Sequence, residues 1–367
     1  MNINNRSRMV KSIMNLAHRK EEMKEHYETS LAMNVGDHAW LSTLYFSGAY
    51  EEEPDWAIGP FVKEERMTFR LGRQWRDPYD FGWKSGFLFN PSLIERDGKL
   101  YMFYRAAPKK EATGSRIGLA VYEEGAGWSD CGHNPIIYPT GDNELLGCED
   151  PKVYEADGKY YMFYNGVWPV SEEQAASVRE SMGYEVQVGC DINMAVSDDL
   201  LHWEKRGIVV PHAVSQYWAK GAVIPRDPGG RAVRIDGRYM MFLSEGCGGR
   251  QHVGFSEDML NWHFEPQTYL DTSAYGKLYE LACVSADRSP GDDRLVMDFY
   301  YRDGDGRNAA GQALYARREP FRQLSLNKGG TLAWGGLIQY RGRWLFAQGW
   351  DAANGDNEMY FYSAVVR

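Results

Sequence analysis

Glu149 and Asp150 stand side by side in the run Gly147-Cys148-Glu149-Asp150-Pro151-Lys152. Carboxylates so placed suit glycosidic bond cleavage. There one carboxylic acid protonates the leaving oxygen, directly or through a relay, while a second nucleophile reaches the anomeric carbon. If both side chains faced one pocket, the charge of Glu149 would oppose ionisation of Asp150. Neighbours in a regular strand point to opposite faces, so only one of the two is expected to look into a pocket. The plain alternative for Asp150-Pro151 is a strand cap or turn. Metal chemistry finds less support. His212, His252 and His263 lack metal-ligand spacing, and Asp303-Gly-Asp-Gly306 lacks the remaining ligand positions of a calcium loop, so it reads as a turn. No obligatory cofactor and no metal are expected. The five cysteines are odd in number and form no C-x-x-C pair, which predicts reduced, buried thiols.

What must position such residues is a repeat. Asn90-Pro-Ser-Leu-Ile-Glu-Arg-Asp-Gly-Lys-Leu-Tyr-Met-Phe-Tyr104 and Asp150-Pro-Lys-Val-Tyr-Glu-Ala-Asp-Gly-Lys-Tyr-Tyr-Met-Phe-Tyr164 are the same hairpin, each turning on an Asp-Gly dipeptide. Weaker copies follow at 235–242, 292–299 and 340–346, making five. A second signature, Ser-x-Asp-x-x-x-Trp, recurs at Ser197, Asp199, Trp203 and at Ser256, Asp258, Trp262. The pattern predicts an all-β, five-bladed β-propeller over 58–367, with a β-sandwich as the competing architecture. The inner strand of each blade lines a central channel. The residues before each hairpin are therefore the pocket candidates: Asn90, Glu149 with Asp150, Lys220 with Gly221, Tyr279 with Glu280, and Gly335 with Gly336.

Residues 1–57 read as a separate helical extension, because Met9, Ile13, Leu16, Met23 and Tyr27 recur near helical spacing. The extension is expected to reach a neighbouring subunit and make the protein a homo-oligomer, or else to brace one blade. Neither a secretory apolar segment nor a bilayer-length run is present, so a cytoplasmic protein with no membrane partner is expected. The net charge of −10, with no basic stripe, argues against nucleic acid. Aromatic residues at 14% suggest sugar-stacking surfaces and an oligosaccharide partner.

The runs Phe89-Asn-Pro-Ser-Leu-Ile94, Tyr104-Arg105-Ala106, Gly147-Cys-Glu-Asp-Pro-Lys-Val153 and Lys220-Gly-Ala-Val-Ile-Pro225 resemble glycoside hydrolase family 130, the β-mannoside phosphorylases and β-mannosidases. The likeness extends from about Ile58 to the C-terminus. It implies a five-bladed propeller, inversion at the anomeric carbon, and a catalytic acid, acting through a sugar hydroxyl, at Asp150. By the same resemblance Asn90 and Arg105 lie around the sugar and anion sites. Asn165 follows the second hairpin, Lys220 is the third-blade lysine, and either Asp351 or Asp356 is the C-terminal aspartate. Glu149, Tyr301 and Arg302 complete the expected substrate-binding set.

Departures from the family pattern bear on the reaction. The motif arginine is Lys152 here, and the third-blade His-Arg-Pro-like run is Leu243-Ser244-Glu245. Phosphorolysis needs cations for inorganic phosphate, its co-substrate, and bidentate arginines serve best. Glu245 and Glu280 instead add carboxylates that can activate water. The expectation therefore leans to hydrolysis, with Arg105, Lys220 and Arg302 as the cations from which an anion site would be built. A furanosidase or xylosidase reading requires an aspartate where Asn90 stands, with Asp77 or Asp80 substituting and Glu280 as acid. A non-catalytic sugar-binding propeller would use Trp168, Trp218 and Trp350.

Overall fold

Four of the five repeated hairpins turn in the same way, because both central residues take positive φ: Asp97 and Gly98 (53° and 76°), Asp157 and Gly158 (50° and 78°), Asp236 and Gly237 (48° and 79°), Arg341 and Gly342 (51° and 75°). This is the two-residue turn whose twist matches that of antiparallel strands. The structure, a computed structural model, describes residues 54–71, 83–84, 86–108, 114–182, 188–286, 293–306, 308–330, 337–348 and 358–366. The expected N-terminal helix, Asp77, Asp80, Gly335, Gly336, Trp350, Asp351 and Asp356 lie outside the described residues.

The hairpins grow into five antiparallel blades. The first comprises Phe87–Arg96, Lys99–Ala107, Arg116–Glu123 and Gly127–Asp130. The second comprises Gly147–Ala156, Lys159–Pro169, Val188–Ser197 and Glu204–Ile208. In the third, Ala219–Lys220 pairs with Glu245–Gly246 beside a sheet of Tyr239–Leu243, His252–Ser256 and His263–Pro266. The fourth runs through Lys277–Ala286, Arg294–Arg302, Asn308–Ala316 and Gln323–Lys328. The fifth joins both ends of the described chain: Val62–Lys63 and Phe69–Arg70 pair with Glu358–Val365, next to Arg343–Gln348 and Ile338–Tyr340. That pairing closes the ring.

Each blade buries its apolar face against the next. Separate core clusters join the first and second blades (Ile94, Phe103, Val153, Met162), the second and third (Phe163, Ile192, Ile224, Met241), and the third and fourth (Phe242, Val253, Leu281, Phe299). Two more join the fourth and fifth (Cys283, Val296, Phe346, Tyr362) and the fifth and first (Leu345, Phe361, Leu93, Met102). Arg226, almost wholly buried, sits among the blades and donates to the carbonyls of Leu93 (3.1 Å) and Leu337 (2.9 Å).

Aromatic rings cover glycines of the neighbouring strand. Tyr104 covers Gly118, Trp168 covers Gly189, Phe264 covers Gly254 and Phe299 covers Gly311, each a directly opposed pair. A Cβ at any of these glycines would come within 2.5 Å of the ring. Cross-strand packing of this kind rigidifies the sheet where glycine alone would weaken it.

The two Ser-x-Asp-x-x-x-Trp signatures are identical turns between the outer strands. Asp199 Oδ1 accepts from the amides of Leu201 and His202 (both 2.8 Å), and Asp258 Oδ1 accepts from those of Leu260 (2.9 Å) and Asn261 (2.8 Å). In both, the tryptophan indole donates to the backbone three residues upstream. These amide donors hold the Asp258 carboxyl down at about 2. The Asp303 run likewise forms a turn, closed by Gly306 N–H on the Asp303 carbonyl (3.0 Å).

Two helices interrupt the expected all-β propeller among the described residues: the short His212–Ser215 before the third blade, and Glu172–Met182, inserted between two strands of the second blade. Its start is a capping box, with the Gln174 amide on Ser171 Oγ (3.2 Å) and the Ser171 amide on Gln174 Oε1 (2.8 Å). Of the cysteines, Cys148, Cys190, Cys247 and Cys283 are buried free thiols and Cys131 is partly exposed; burial pushes the Cys247 thiol up to about 12.

Candidate active site

The inner strands of the first two blades are interrupted at matching places. Pairing slips between Phe89 and Ser92, and again between Glu149 and Lys152. At each slip the residue before proline takes positive φ: Asn90 at 48° and Asp150 at 54°. Asn and Asp tolerate this conformation better than bulkier residues do. The bulge breaks the alternation of side chains, and so overturns the expectation that only one of Glu149 and Asp150 faces the site. Both carboxylates meet the same two cations.

Lys220 Nζ lies 2.8 Å from Glu149 Oε1 and 3.0 Å from Asp150 Oδ2. Arg105 lies 2.6 Å from Glu149 Oε2 and 3.0 Å from Asp150 Oδ1. Asn90 donates to Asp150 Oδ1 at 2.5 Å, and Arg105 Nε is fixed on Ser115 Oγ at 2.9 Å. The Asp150 side chain retains 11% exposure and that of Lys220 16%, so the cluster is neither turned to bulk solvent nor sealed. Burial works to raise the Asp150 carboxyl, but Lys220 and Arg105 outweigh it and hold that carboxyl well below the usual range. Burial would lower the Lys220 ammonium; Asp150 and Glu149 overcome this and raise it well above its ordinary value.

A second carboxylate pair comes from the third and fourth blades. Glu245, opposite Lys220 in the sheet, is pushed up to about 8 by burial and by the charge of Glu280. Glu280 is also raised, chiefly by burial, with Lys152 opposing. Tyr300 donates to Glu280 Oε2 at 2.8 Å, and the Trp218 indole reaches Glu245 Oε1 at 3.4 Å. Gly221, at φ 73°, leaves room for Glu280; a Cβ there would stand 2.9 Å from its Oε1. Lys152 is buried and donates to the Ala282 carbonyl at 3.0 Å, and burial lowers its ammonium.

Of the residues expected in the site, Asn90, Arg105, Glu149, Asp150, Lys220, Glu245 and Glu280 converge. Asn165 lies opposite Glu149, but its amide nitrogen is directed to the carbonyls of Ala219 (2.9 Å) and Asp191 (3.4 Å), which anchors the strand bearing Lys220. Tyr301 is in the core between the third and fourth blades, because a slip between Leu278 and Glu280 sets Tyr300 opposite Glu280. Arg302 is exposed at the strand end, 5.0 Å over the Tyr279 ring, which stacks on Tyr300. It stands apart from Arg105 and Lys220 in this respect, since those two are both held by carboxylates. Tyr300 and Ser115 were not foreseeable from local motifs, and Trp218, expected as a ring of a non-catalytic sugar-binding surface, reaches Glu245 instead. Among the described residues, no group of three or more His, Cys, Asp and Glu side chains is placed to hold a metal ion.

Known proteins resemble the chain in sequence and fold. The family model described as β-1,4-mannooligosaccharide phosphorylase matches residues 63–276, more than half of the 367 residues. A 1,2-β-oligomannan phosphorylase of Thermoanaerobacter sp. (strain X514) is 26% identical over 186 residues, 49% of this chain and 53% of the relative. A β-1,2-mannobiose phosphorylase of the same organism is 26% identical over 190 residues, 47% of this chain and 54% of the relative. The chain thus spans about half the length of the curated relatives it matches. Among solved structures, a glycosyl hydrolase from Bacteroides ovatus superposes with a TM-score of 0.63 at 19% identity, covering 86% of this chain and 96% of that one. A structure from work on mannoside-phosphorylase-family hydrolases that target β-1,2 mannosidic linkages in Candida mannan gives 0.62 at 20% identity, with the same coverage. These likenesses carry the propeller fold. The bulged Glu-Asp-Pro strand lies within the matched stretch, and the chain belongs to glycoside hydrolase family 130.

Proposed function

We propose that this protein cleaves β-mannosidic bonds of oligosaccharides with inversion and passes the released sugar to water. The observation that carries this reading is the charge balance of the inner ring. Among the described residues, three cations (Arg105, Lys152, Lys220) face four carboxyl groups (Glu149, Asp150, Glu245, Glu280), and Arg105 and Lys220 are each already engaged by two of them. Two unit charges of like sign at 4 Å repel by about 4 kcal/mol at the effective dielectric of such a site. Inorganic phosphate would therefore have to displace Glu149 and Asp150 from their partners. Water carries no such penalty.

In this mechanism Glu245 and Glu280 share one proton, as carboxyl pairs in one pocket do. Glu280, with Tyr300 and Lys152 favouring its charge, takes the proton of the attacking water. Asp150 supplies the proton to the leaving oxygen through a sugar hydroxyl. With Lys220 and Arg105 upon it Asp150 is ionised, so the sugar must displace at least one of these cations before Asp150 holds a proton. Asn90 and Arg105 fix the orientation of its carboxyl, and Glu149 keeps both cations in place.

The alternative is phosphorolysis, favoured by the description of the family model and by the names of both curated relatives. Incubation with β-1,2- and β-1,4-mannobiose, with and without phosphate, separates the two. Mannose formed at the same rate in both conditions supports hydrolysis. Mannose 1-phosphate formed only with phosphate overturns it, and no cleavage of either disaccharide overturns the mannoside assignment.

A further inference from the structure

A buried acid outside the catalytic ring organises a group of partly exposed rings at its edge. Asp191 in the second blade is fully buried and 3.0 Å from His212 Nε2. His212 stacks on Trp168 with centroids 5.8 Å apart and planes 23° apart, and Tyr217 closes on His212 at 4.8 Å. Trp168 covers Gly189, where a Cβ would lie 2.4 Å from the indole. All three rings are partly open, and the His212 side chain is 37% exposed.

The group is adjacent to the catalytic cluster. The Cys190 amide donates to the Tyr217 carbonyl at 2.9 Å, and Trp218, next in the chain, reaches Glu245. Tyr217 precedes Lys220 by three residues, a span of at most about 11 Å. The exposed parts of these three rings, held rigid before binding by Gly189, Asp191 and one another, offer apolar carbon and polar edges to a pyranose ring.

We propose that Trp168, His212 and Tyr217 form an accessory subsite that binds a third pyranose unit of the oligosaccharide, beyond the two flanking the cleaved bond. The subsite rests on the function proposed above and adds a preference for chain length to it. Loss of one ring should cost roughly 3- to 10-fold in the discrimination it provides.

The test compares kcat/KM for β-1,2-mannotriose and β-1,2-mannobiose in the unmodified protein and in Trp168→Ala, with Trp168→Phe as the conservative control. The subsite predicts that the trisaccharide-to-disaccharide ratio falls 3- to 10-fold in the alanine variant, through KM, and recovers in the phenylalanine variant. A purely structural Trp168 would lower both substrates alike and leave the ratio unmoved, which overturns the proposal. If the unmodified protein turns over neither sugar, the functional reading has failed, and calorimetric titration with mannotriose decides the subsite. Binding that Trp168→Ala weakens supports it; equal binding, or no binding to the unmodified protein, overturns it.

Discussion

Glu149 and Asp150, consecutive in the chain, both contact Lys220 Nζ, at 2.8 and 3.0 Å. A flat strand forbids this, because its side chains alternate between faces. The positive φ of Asp150 and the pairing slip around it make it possible. The bulge thus converts one sequence dipeptide into two pocket carboxylates. It also sets a division of labour, with Glu149 holding the cations while Asp150 remains partly accessible.

Asp150→Asn is expected to lower turnover by about 10²- to 10⁴-fold, the usual contribution of a positioned general acid. The amide is isosteric, and Glu149 still pairs with Arg105 and Lys220, so the fold and sugar binding should persist. Steady-state rates with calorimetry on the same preparation check this. Unchanged turnover would favour a non-catalytic sugar-binding propeller.

Glu245→Gln should stabilise the protein above neutral pH. The folded Glu245 carboxyl is raised to about 8, so between its unfolded value and 8 the folded state binds more protons than the unfolded state. Stability therefore falls as pH rises through that window. Glutamine removes the dependence. Melting temperatures should favour the variant at pH 9 and converge with the parent below about pH 4.5; a gap independent of pH would contradict the assignment.

Lys220→Gln should act in the opposite window. The lowered Asp150 carboxyl contributes stability that is present above its unfolded value, about 3.9, and is lost on further acidification. Removing one partner of a buried ion pair costs about 3 kcal/mol at neutral pH. The melting difference from the parent should be large at pH 7 and shrink below pH 4, as followed by circular dichroism. A difference that grows with acid would show that Lys220 does not stabilise the Asp150 charge.

Gly221→Ala tests the seat of Glu280. Positive φ and a contact of 2.9 Å to Glu280 Oε1 both oppose a Cβ at this position. A loss of about 1–2 kcal/mol in stability is expected from backbone strain. Turnover should fall by 10-fold or more as Glu280 shifts, since displacement of a catalytic group by about 1 Å can cost 10²-fold. A stable variant with full activity would remove Glu280 from the mechanism.

The repeated hairpins were legible because turn chemistry is local. Asp97-Gly98 and Asp157-Gly158 announce their geometry in two letters, and blade number follows from counting copies. Glu149, Asp150, Lys220 and Glu280 were legible as positions before the hairpins, Arg105 through the family resemblance and Glu245 through a departure from it. Bulges were not. Pro151 marks a place where pairing fails but not which side chains the slip brings together, and nothing in the strand pattern marks the slip at Tyr279, which put Tyr300 rather than Tyr301 on Glu280. Contacts between blades, such as Trp218 with Glu245 or Asn165 with Ala219, depend on ring closure and leave no trace in either segment alone. The helix Glu172–Met182 did leave one, in Ser171 and Gln174 at capping-box spacing.

The most direct test of water as the acceptor is cleavage of β-1,2-mannobiose in phosphate buffer made with oxygen-18 water, followed by NMR and mass spectrometry. Hydrolysis with inversion predicts label at C1 of one of the two mannoses released per disaccharide, the one from the non-reducing end, which appears first as the α-anomer. Unlabelled mannose 1-phosphate, or mannose appearing first as the β-anomer, would contradict it.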